Sequence, residues 1–161
     1  MELSKTTGVL FVCLGNICRS PMAEAVFNQL LIEKGIADEF RVDSAGTSSL
    51  HEGEQPHRGT RQKLAEYHIS TEEMHSRPVV EADGHLYDYI VCMDASNVRN
   101  FLQKVDVSNK SEVIRFLDVT VQPMDVPDPY YTGDFEETYQ LCRSGCEALL
   151  EKIMDDQMAG N

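Results

Sequence analysis

The stretch from residue 9 to residue 20 reads VLFVCLGNICRS and joins a strand, a tight turn and the start of a helix. Its first four residues form a continuous apolar run, which is typical of a strand buried on both faces. After the turn, Ser20 is predicted to cap a helix whose first position is Pro21. Apolar residues at helical spacing continue over residues 22–31, and Gly35 is the expected stop.

Strand and helix patterns alternate along the rest of the chain. The strands are predicted over residues 40–44, 87–93 and 113–117, and the helices over residues 61–67, 98–105 and 135–153. This alternation predicts an α/β fold, a four-stranded parallel sheet in three layers with helices on both faces. Residues 1–161 are expected to form a single domain, and the tail over residues 155–161 is expected to fray.

The composition argues against several classes of protein. A net charge of −13 disfavours general nucleic-acid binding, which needs a basic stripe. No apolar run approaches the roughly 20 residues that span a bilayer, so no membrane insertion is expected. The first residues, Met1 to Lys5, lack a secretion signal, which predicts a cytoplasmic protein while leaving export by another route open.

The cysteine count is odd, because the chain has five cysteines. Without a secretion signal, this count is typical of reduced, cytosolic thiols. Neither the Cys13/Cys18 spacing nor the Cys142/Cys146 spacing matches a common zinc pattern. We therefore expect no metal and no other cofactor.

The loop after the first strand is the expected place for chemistry, because ligands of parallel sheets bind beyond the carboxyl ends of the strands. A strand-to-helix loop that turns its backbone N–H groups inward makes an anion site. The predicted phosphate-binding residues are Leu14, Gly15, Asn16, Ile17, Cys18 and Arg19. A positive site of this kind also favours the thiolate form of a cysteine, so Cys13 is the candidate nucleophile and Arg19 the phosphate-binding cation.

A carboxylic acid is needed to protonate the leaving oxygen and then to activate water. The best candidate is Asp128, which lies between two prolines and directly before Tyr130 and Tyr131 in the motif PDPYY. Those two rings are suited to flank an aromatic substrate. On its own, an aspartate before a proline is more often a turn former.

Four motifs together resemble the low-molecular-weight protein tyrosine phosphatases over nearly the whole chain. They lie at residues 12–24, 43–46, 89–94 and 128–131. The resemblance implies hydrolysis of phosphotyrosine through a phosphocysteine on Cys13, with Arg19 binding phosphate and Asp128 as general acid and base. It further implies that the loop is supported by Asn16, Ser20, Ser44 and His75, and that Cys18 traps oxidised Cys13 as a disulfide.

The substrate pocket is expected to be lined by Leu14, Ile17, Leu50, Tyr130 and Tyr131. Relatives that act on phosphoarginine place a threonine at the position of Ile17, so isoleucine favours phosphotyrosine. Many family members carry a tryptophan where this chain has Leu50, and the chain contains no tryptophan.

Three other functions stay open at this point: phosphoarginine hydrolysis, arsenate reduction and phosphate transfer to a sugar. Arsenate reduction requires two further cysteines on a mobile segment, whereas Cys92, Cys142 and Cys146 lie in apolar patterns typical of a core. A non-catalytic phosphate-binding module would be expected to lose Cys13 or Asp128. The implied partner is a tyrosine-phosphorylated protein, such as a bacterial tyrosine kinase, and the expected oligomeric state is a monomer.

Overall fold

The computed structural model of the protein describes residues 6–160, so the expectations for Met1 to Lys5 and for Asn161 lie outside the described residues. In chain order, the helices and strands are β1 (Thr7–Cys13), α1 (Arg19–Glu33), β2 (Phe40–Gly46), α2 (Arg58–Glu66), α3 (Asp83–Leu86), β3 (Tyr89–Cys92), α4 (Ala95–Lys104), β4 (Glu112–Arg115), α5 (Pro129–Thr132) and α6 (Phe135–Ala159). Short 3-10 helices span Ala37–Glu39 and Phe116–Val119. In this part of the chain no helix has both the length and the apolar character that crossing a bilayer requires.

The four strands pair in the order β2-β1-β3-β4, and every pairing is parallel. The predicted α/β fold with a four-stranded parallel sheet is therefore confirmed. In the register, Cys13 lies beside Gly46 of β2, and Val12 lies beside Cys92 of β3. The carboxyl ends of these three strands consequently meet at one edge of the sheet, where the loop after β1 begins.

The sheet separates two apolar cores, because successive side chains of β1 point to opposite faces. Val9 and Phe11 pack on the side of α1 and α6, whereas Leu10 and Val12 pack on the side of α4. Helices therefore cover both faces, as predicted. Full burial of a side chain such as Phe11 contributes about 1.5–3 kcal/mol, so β1 is held firmly from both sides.

The start of α1 differs from the prediction. The helix begins at Arg19, with Cys18 at the capping position, and Ser20 lies inside the first turn. Ser20 does not cap the helix because its hydroxyl lies 3.0 Å from the Sγ atom of Cys13. Pro21 is then the third helical residue, where its missing N–H is still not needed.

The predicted fourth strand, residues 113–117, is also shorter than expected. Strand β4 ends at Arg115, and Phe116 continues into a 3-10 turn. A continuous apolar run does not distinguish a buried strand from a buried turn. Here Phe116 turns towards α6, where a Cβ atom on Gly145 would lie 2.5 Å from the Phe116 ring. The glycine leaves the space that the ring occupies.

The last helix extends into the tail, where fraying stays a prediction. Helix α6 continues past residue 155 to Ala159. Tyr89 donates a hydrogen bond of 2.7 Å to Asp156, and Lys152 lies 3.1 Å from the same carboxylate. The bond from Tyr89 ties the last turns of the helix to β3, whereas the pair of Lys152 and Asp156 lies within the helix.

Candidate active site

The loop after β1 has its backbone carbonyls turned outward. Five carbonyl oxygens accept hydrogen bonds of 2.7–3.2 Å from neighbouring segments. Thr47 N donates to Cys13 O, Ser48 N to Leu14 O, and Ser76 Oγ to Gly15 O. His57 N donates to Ile17 O, and Thr60 Oγ1 to Cys18 O. In a trans peptide the N–H points opposite to the C=O, so the following N–H groups face the cleft. This arrangement forms an anion cradle at the start of α1.

Cys13 lies on the floor of this cradle and is only 3% exposed. Its Sγ atom lies 3.0 Å from the Oγ atom of Ser20 and accepts a hydrogen bond of 3.2 Å from the backbone N–H of Asn16. Both contacts suit a thiolate, which accepts hydrogen bonds and is the nucleophilic form of cysteine. Asn16 adopts a φ of 56°, which asparagine tolerates better than most residues and which brings its N–H towards the sulfur.

A chain of hydrogen bonds supports the loop from behind. The side-chain amide of Asn16 donates to Ser20 at 2.8 Å and to Ser44 at 2.9 Å. Ser44 in turn donates to a carboxylate oxygen of Glu24 at 2.6 Å. The side chains of Glu24, Ser44, Asn16, Ser20 and Cys13 are therefore linked in one series, with the Asn16 amide donating in both directions. Sequence reasoning included the two serines and Asn16 but missed Glu24.

The supporting role of His75 stays a prediction. Its side chain is exposed and makes no hydrogen bond to the loop among residues 6–160, but it lines a cavity together with Asn16, Glu24 and Ser44. The two residues that follow it do contact the loop. Ser76 Oγ donates to Gly15 O at 2.9 Å, and Arg77 N donates to the side-chain oxygen of Asn16 at 3.0 Å. The backbone path between α2 and α3 turns these two residues inward, and a sequence pattern does not reveal that path.

Arg19 is 3% exposed and is anchored at one end of its guanidinium group. Its Nη1 atom donates to Asp94 at 2.7 Å and to the backbone oxygen of Val126 at 2.9 Å. Its Nη2 atom lies 3.5 Å from a carboxylate oxygen of Asp128. The anchored end fixes the plane of the fork, and the other end faces the cradle, where it is suited to bind two oxygens of a phosphate.

Asp128 caps the short helix α5 by accepting a hydrogen bond of 3.0 Å from Tyr130 N. The turn-forming role and the position beside Arg19 therefore occur together in one side chain. The rings of Tyr130 and Tyr131 pack edge to face, with centroids 5.3 Å apart. Both rings are exposed, so they form a rim beside the carboxylate rather than part of the core.

The cleft in front of Cys13 has a volume of about 190 Å³. It brings together nearly all of the predicted site residues, which are Cys13, Leu14, Gly15, Ile17, Cys18, Arg19, Leu50, Asp128, Tyr130 and Tyr131. Ile17 is buried in its wall, whereas the side chain of Leu50 is 79% exposed at the mouth. Asn16, Ser20 and Ser44 lie behind the cleft rather than in it.

Two histidines at the cleft were missed by sequence reasoning. His51 lines the mouth, and its ring nitrogen Nδ1 lies 3.0 Å from the carboxylate of Glu54. His57 donates its backbone N–H to Ile17 O at 2.7 Å, and its ring packs edge to face on Tyr130 at 6.0 Å. His57 thus joins the phosphate cradle to the segment that carries Asp128. Their position just after β2 is the sequence signal that was available.

Asp94 caps α4 by accepting a hydrogen bond from Asn97 N at 2.7 Å. Its second carboxylate oxygen holds Arg19. The signal for this second role is its position directly after β3, since β3 is the neighbour of β1 and their carboxyl ends meet.

Burial raises the pKa of several thiols. The pKa of Cys18 rises to about 12, chiefly through burial and further through the negative charges of Asp128 and Cys13. Cys18 is therefore a neutral thiol at pH 7. Burial also raises the pKa of Cys92, Cys142 and Cys146, which are fully buried, as their apolar patterns predicted.

The titration of the Glu24 carboxyl gives a test of the hydrogen bonds that support the loop. Burial raises the pKa of its carboxyl from the ordinary value of 4.5 to about 7, against the opposing hydrogen bond from Ser44. Between these two pH values the folded protein holds a proton that the unfolded chain has released. The contribution of Glu24 to the free energy of unfolding therefore falls as the pH rises through this window.

We expect Glu24→Gln to remove this pH dependence while keeping an oxygen that accepts from Ser44. When the pH is raised from 5 to 8, the free energy of unfolding of the variant should rise by about 1–3 kcal/mol relative to that of the wild type. Urea denaturation of both proteins at the two pH values measures the difference. A difference that does not change with pH would place the titration of Glu24 outside this window.

Comparison with known proteins gives consistent matches. Residues 8–159 match the family model described as low molecular weight phosphotyrosine protein phosphatase. The low molecular weight protein-tyrosine-phosphatase YfkJ of Bacillus subtilis is 47% identical over 151 residues, covering 92% of this chain and 97% of YfkJ. The crystal structure of YfkJ matches with a TM-score of 0.91 at 45% identity, covering 96% of this chain and 99% of that one.

Two further matches show the range of the similarity. The low molecular weight protein-tyrosine-phosphatase PtpA of Staphylococcus epidermidis is 44% identical over 149 residues, covering 92% of this chain and 94% of PtpA. The crystal structure of DARP, a drosophila arginine phosphatase, matches with a TM-score of 0.82 at 30% identity, covering 90% of this chain and 96% of that one.

The match of the family model spans almost the whole of the chain, and the relatives align over nearly their full length. The resemblance drawn from the four sequence motifs is thereby confirmed. This chain belongs to the low molecular weight phosphotyrosine protein phosphatases and is a cysteine-dependent protein-tyrosine-phosphatase.

Proposed function

We propose that Cys13, Arg19 and Asp128 are the residues that hydrolyse phosphotyrosine in this protein. The thiolate of Cys13 attacks phosphorus, and the bond from phosphorus to the phenol oxygen breaks as Asp128 donates a proton to that oxygen. Asp128, now a carboxylate, then takes a proton from water. The oxygen of that water attacks phosphorus, the S–P bond breaks, and inorganic phosphate leaves with the thiolate of Cys13 regenerated.

Arg19 and the loop N–H groups stabilise the transition state in both steps. Charge develops on the three equatorial oxygens of the transferring phosphoryl group, and fixed donors around those oxygens lower the barrier. One observation carries the proposal: a buried cysteine, an inward-facing ring of N–H groups, a half-anchored arginine and a carboxylate surround the same small cleft. No metal or organic cofactor is needed for these steps.

The pocket favours an aromatic phosphoester. Ile17 contributes an apolar wall, and the rings of Tyr130 and Tyr131 form a rim on which a phenol ring can pack. Phosphoarginine is the main alternative substrate, because a structural match of this chain is an arginine phosphatase. A guanidinium-bearing substrate gains less from an apolar wall than from a hydroxyl that accepts a hydrogen bond.

The choice of substrate is tested with matched phosphotyrosine, phosphoserine and phosphoarginine peptides, assayed without added metal. We expect the wild type to prefer phosphotyrosine by at least about tenfold in kcat/KM, and Ile17→Thr to shift that ratio towards phosphoarginine by about tenfold. Leu50→Thr is the matched control, since Leu50 lies at the exposed mouth rather than in the wall. A wild-type preference for phosphoarginine would overturn the assignment of the pocket.

Arsenate reduction is less well supported by the geometry. A relay would require two further cysteines that reach the first one through a mobile segment. Cys92 lies in β3 and Cys142 in α6, and both are fully buried within regular elements. Transfer of phosphate to a sugar would leave Asp128 without a role, because water would not have to be activated.

The redox role of Cys18 stays a prediction. Oxidation of Cys13 by peroxide would give a sulfenic acid, and attack by Cys18 would release water and form a disulfide. Both cysteines line the same cleft. Because Cys18 is a neutral thiol at pH 7, this attack should be slower than that of a thiolate.

The partner, the oligomeric state and the location of the protein are proposals of the same kind. We infer that a tyrosine-phosphorylated protein, such as a bacterial tyrosine kinase, is the substrate, and that residues 1–161 act as a monomeric, cytoplasmic, single domain. The support for the kinase is resemblance to bacterial relatives.

A further inference from the structure

A second cavity, of about 360 Å³, adjoins the catalytic cleft on the side of Asp128. The two spaces share four lining residues, which are Leu14, Arg19, Asp128 and Tyr131. The far wall of the second cavity is formed by Asp94, Ser96, Asn97 and Asp125. A peptide whose phosphotyrosine occupies the cleft would therefore have a neighbouring side chain within reach of this wall.

The far wall is acidic even after its ion pairs are considered. Asp94 and Asp128 share a single arginine, Arg19, at 2.7 and 3.5 Å. Asp125 lies 3.0 Å from Arg115, which also pairs with Asp118 at 2.8 Å. Four carboxylates thus face two guanidinium groups. When Arg19 binds a phosphate group, the net charge around the cavity becomes still more negative, because the phosphate adds further negative charge beside the same arginine.

The positive end of α4 does not offset this charge. Its first turn is already capped by carboxylates, because Asn97 N donates to Asp94 at 2.7 Å and Ala95 N donates to Asp125 at 3.0 Å. An anion would therefore meet carboxylates rather than free N–H groups at this helix start. The wall is suited to a cation.

Two acceptors in the wall are unused. Asn97 is only 2% exposed, and its Oδ1 atom accepts no hydrogen bond from any residue in the described range 6–160. A buried oxygen left without a donor costs about 1–3 kcal/mol. Asp125 uses Oδ1 for both of its bonds, and among the described residues no partner is recorded for Oδ2.

We propose that this cavity is a subsite for a lysine or arginine side chain that flanks the phosphotyrosine of the substrate, an inference that rests on the proposed function. The described residues contain no group of three metal-ligating side chains placed to hold a metal ion, so an organic cation fits the wall better. The net charge of −13 acts in the same direction, since it repels acidic peptides and attracts basic ones at long range.

The test uses phosphotyrosine peptides that are neutral except for one lysine, placed in turn at each of the two positions before and after the phosphotyrosine. A peptide with glutamine in place of lysine is the reference. Rates are divided by the rate of the same protein on nitrophenyl phosphate, so that a general loss of phosphatase activity cancels. At low salt we expect one position at which lysine raises kcat/KM by about tenfold.

Asp125→Asn should reduce this gain to about threefold or less, because it removes one of the two carboxylate charges of the far wall. Asp118→Asn is the matched control. Asp118 also pairs with Arg115, so the variant loses an equivalent carboxylate charge, but Asp118 does not line the cavity. An equal gain at all four positions, or equal losses in the two variants, would mean that only the overall charge acts and would overturn the subsite.

A binding measurement separates failure of the subsite from failure of the proposed function. Cys13→Ser is used to measure the dissociation constants of the lysine and glutamine peptides without turnover. We expect the lysine peptide to bind about tenfold more tightly at the preferred position, and less so in high salt. Equal binding would mean that water fills the cavity, and the subsite would be rejected even if phosphotyrosine is hydrolysed.

Discussion

Cys13→Ser should lower kcat for aryl phosphates by at least about 10⁴-fold while leaving the protein folded and able to bind phosphate. A serine hydroxyl is far less nucleophilic than a thiolate at neutral pH. The cradle itself should survive, because its carbonyls are held by Thr47, Ser48, Ser76, His57 and Thr60 rather than by the sulfur. Calorimetric titration with inorganic phosphate, together with kinetics on nitrophenyl phosphate, measures the two properties separately.

The control for this variant is another buried cysteine at the same edge of the sheet. Cys92 lies beside Val12 in the register and is fully buried. Cys92→Ala should cost stability, by about 1 kcal/mol, but should leave kcat within about twofold. If Cys13→Ser retained more than about 1% of the wild-type kcat, the covalent route through Cys13 would have to be abandoned.

The parts of the fold that the sequence predicted depend on regular spacing. The apolar run of β1 and the helical stripe of α6 each specify a buried face on their own, without knowledge of the neighbours. The cradle was predictable for the same reason, since its members are contiguous from Cys13 to Arg19. Local patterns therefore give the sheet, the order of elements and the residues of the loop.

The contacts that sequence spacing did not predict depend on the packed structure. Ser20 has the identity of a helix cap, but the sulfur of Cys13 and the amide of Asn16 draw its hydroxyl into the loop. The hydrogen bonds that Ser76 and Arg77 donate to the loop likewise depend on the backbone path between α2 and α3. A competition between local and tertiary partners is decided by the packed structure, so sequence spacing alone does not resolve it.

The roles of Asp94 and Asp125 also depend on contacts between segments that are distant in sequence. Asp94 is recognisable as a cap from its neighbours, but its bond to Arg19 follows only when β3 is known to lie beside β1. Asp125 lies in a loop with no periodic pattern, and its position opposite Asn97 depends on how that loop packs against α4. Both residues support the argument that the cleft continues into an acidic subsite.

Asp128→Asn should separate the proton donor from the rest of the site. Asparagine keeps an oxygen that accepts from Tyr130 N, so α5 and the rim should stay in place. Loss of the general acid should slow phenyl phosphate by about 10²–10⁴-fold, because phenolate is a poor leaving group without a proton. Nitrophenyl phosphate should be slowed much less, since nitrophenolate leaves more readily.

The decisive quantity is the ratio of kcat on the two esters, which a general disturbance of the cleft would not change. Asp134→Asn is the matched control: Asp134 caps α6 by accepting from Glu137 N, just as Asp128 caps α5, but it does not line the cleft. This control should alter neither rate by more than about twofold. Equal losses on both esters with Asp128→Asn would remove Asp128 from the role of acid, and the cleft would then need another donor for the leaving oxygen.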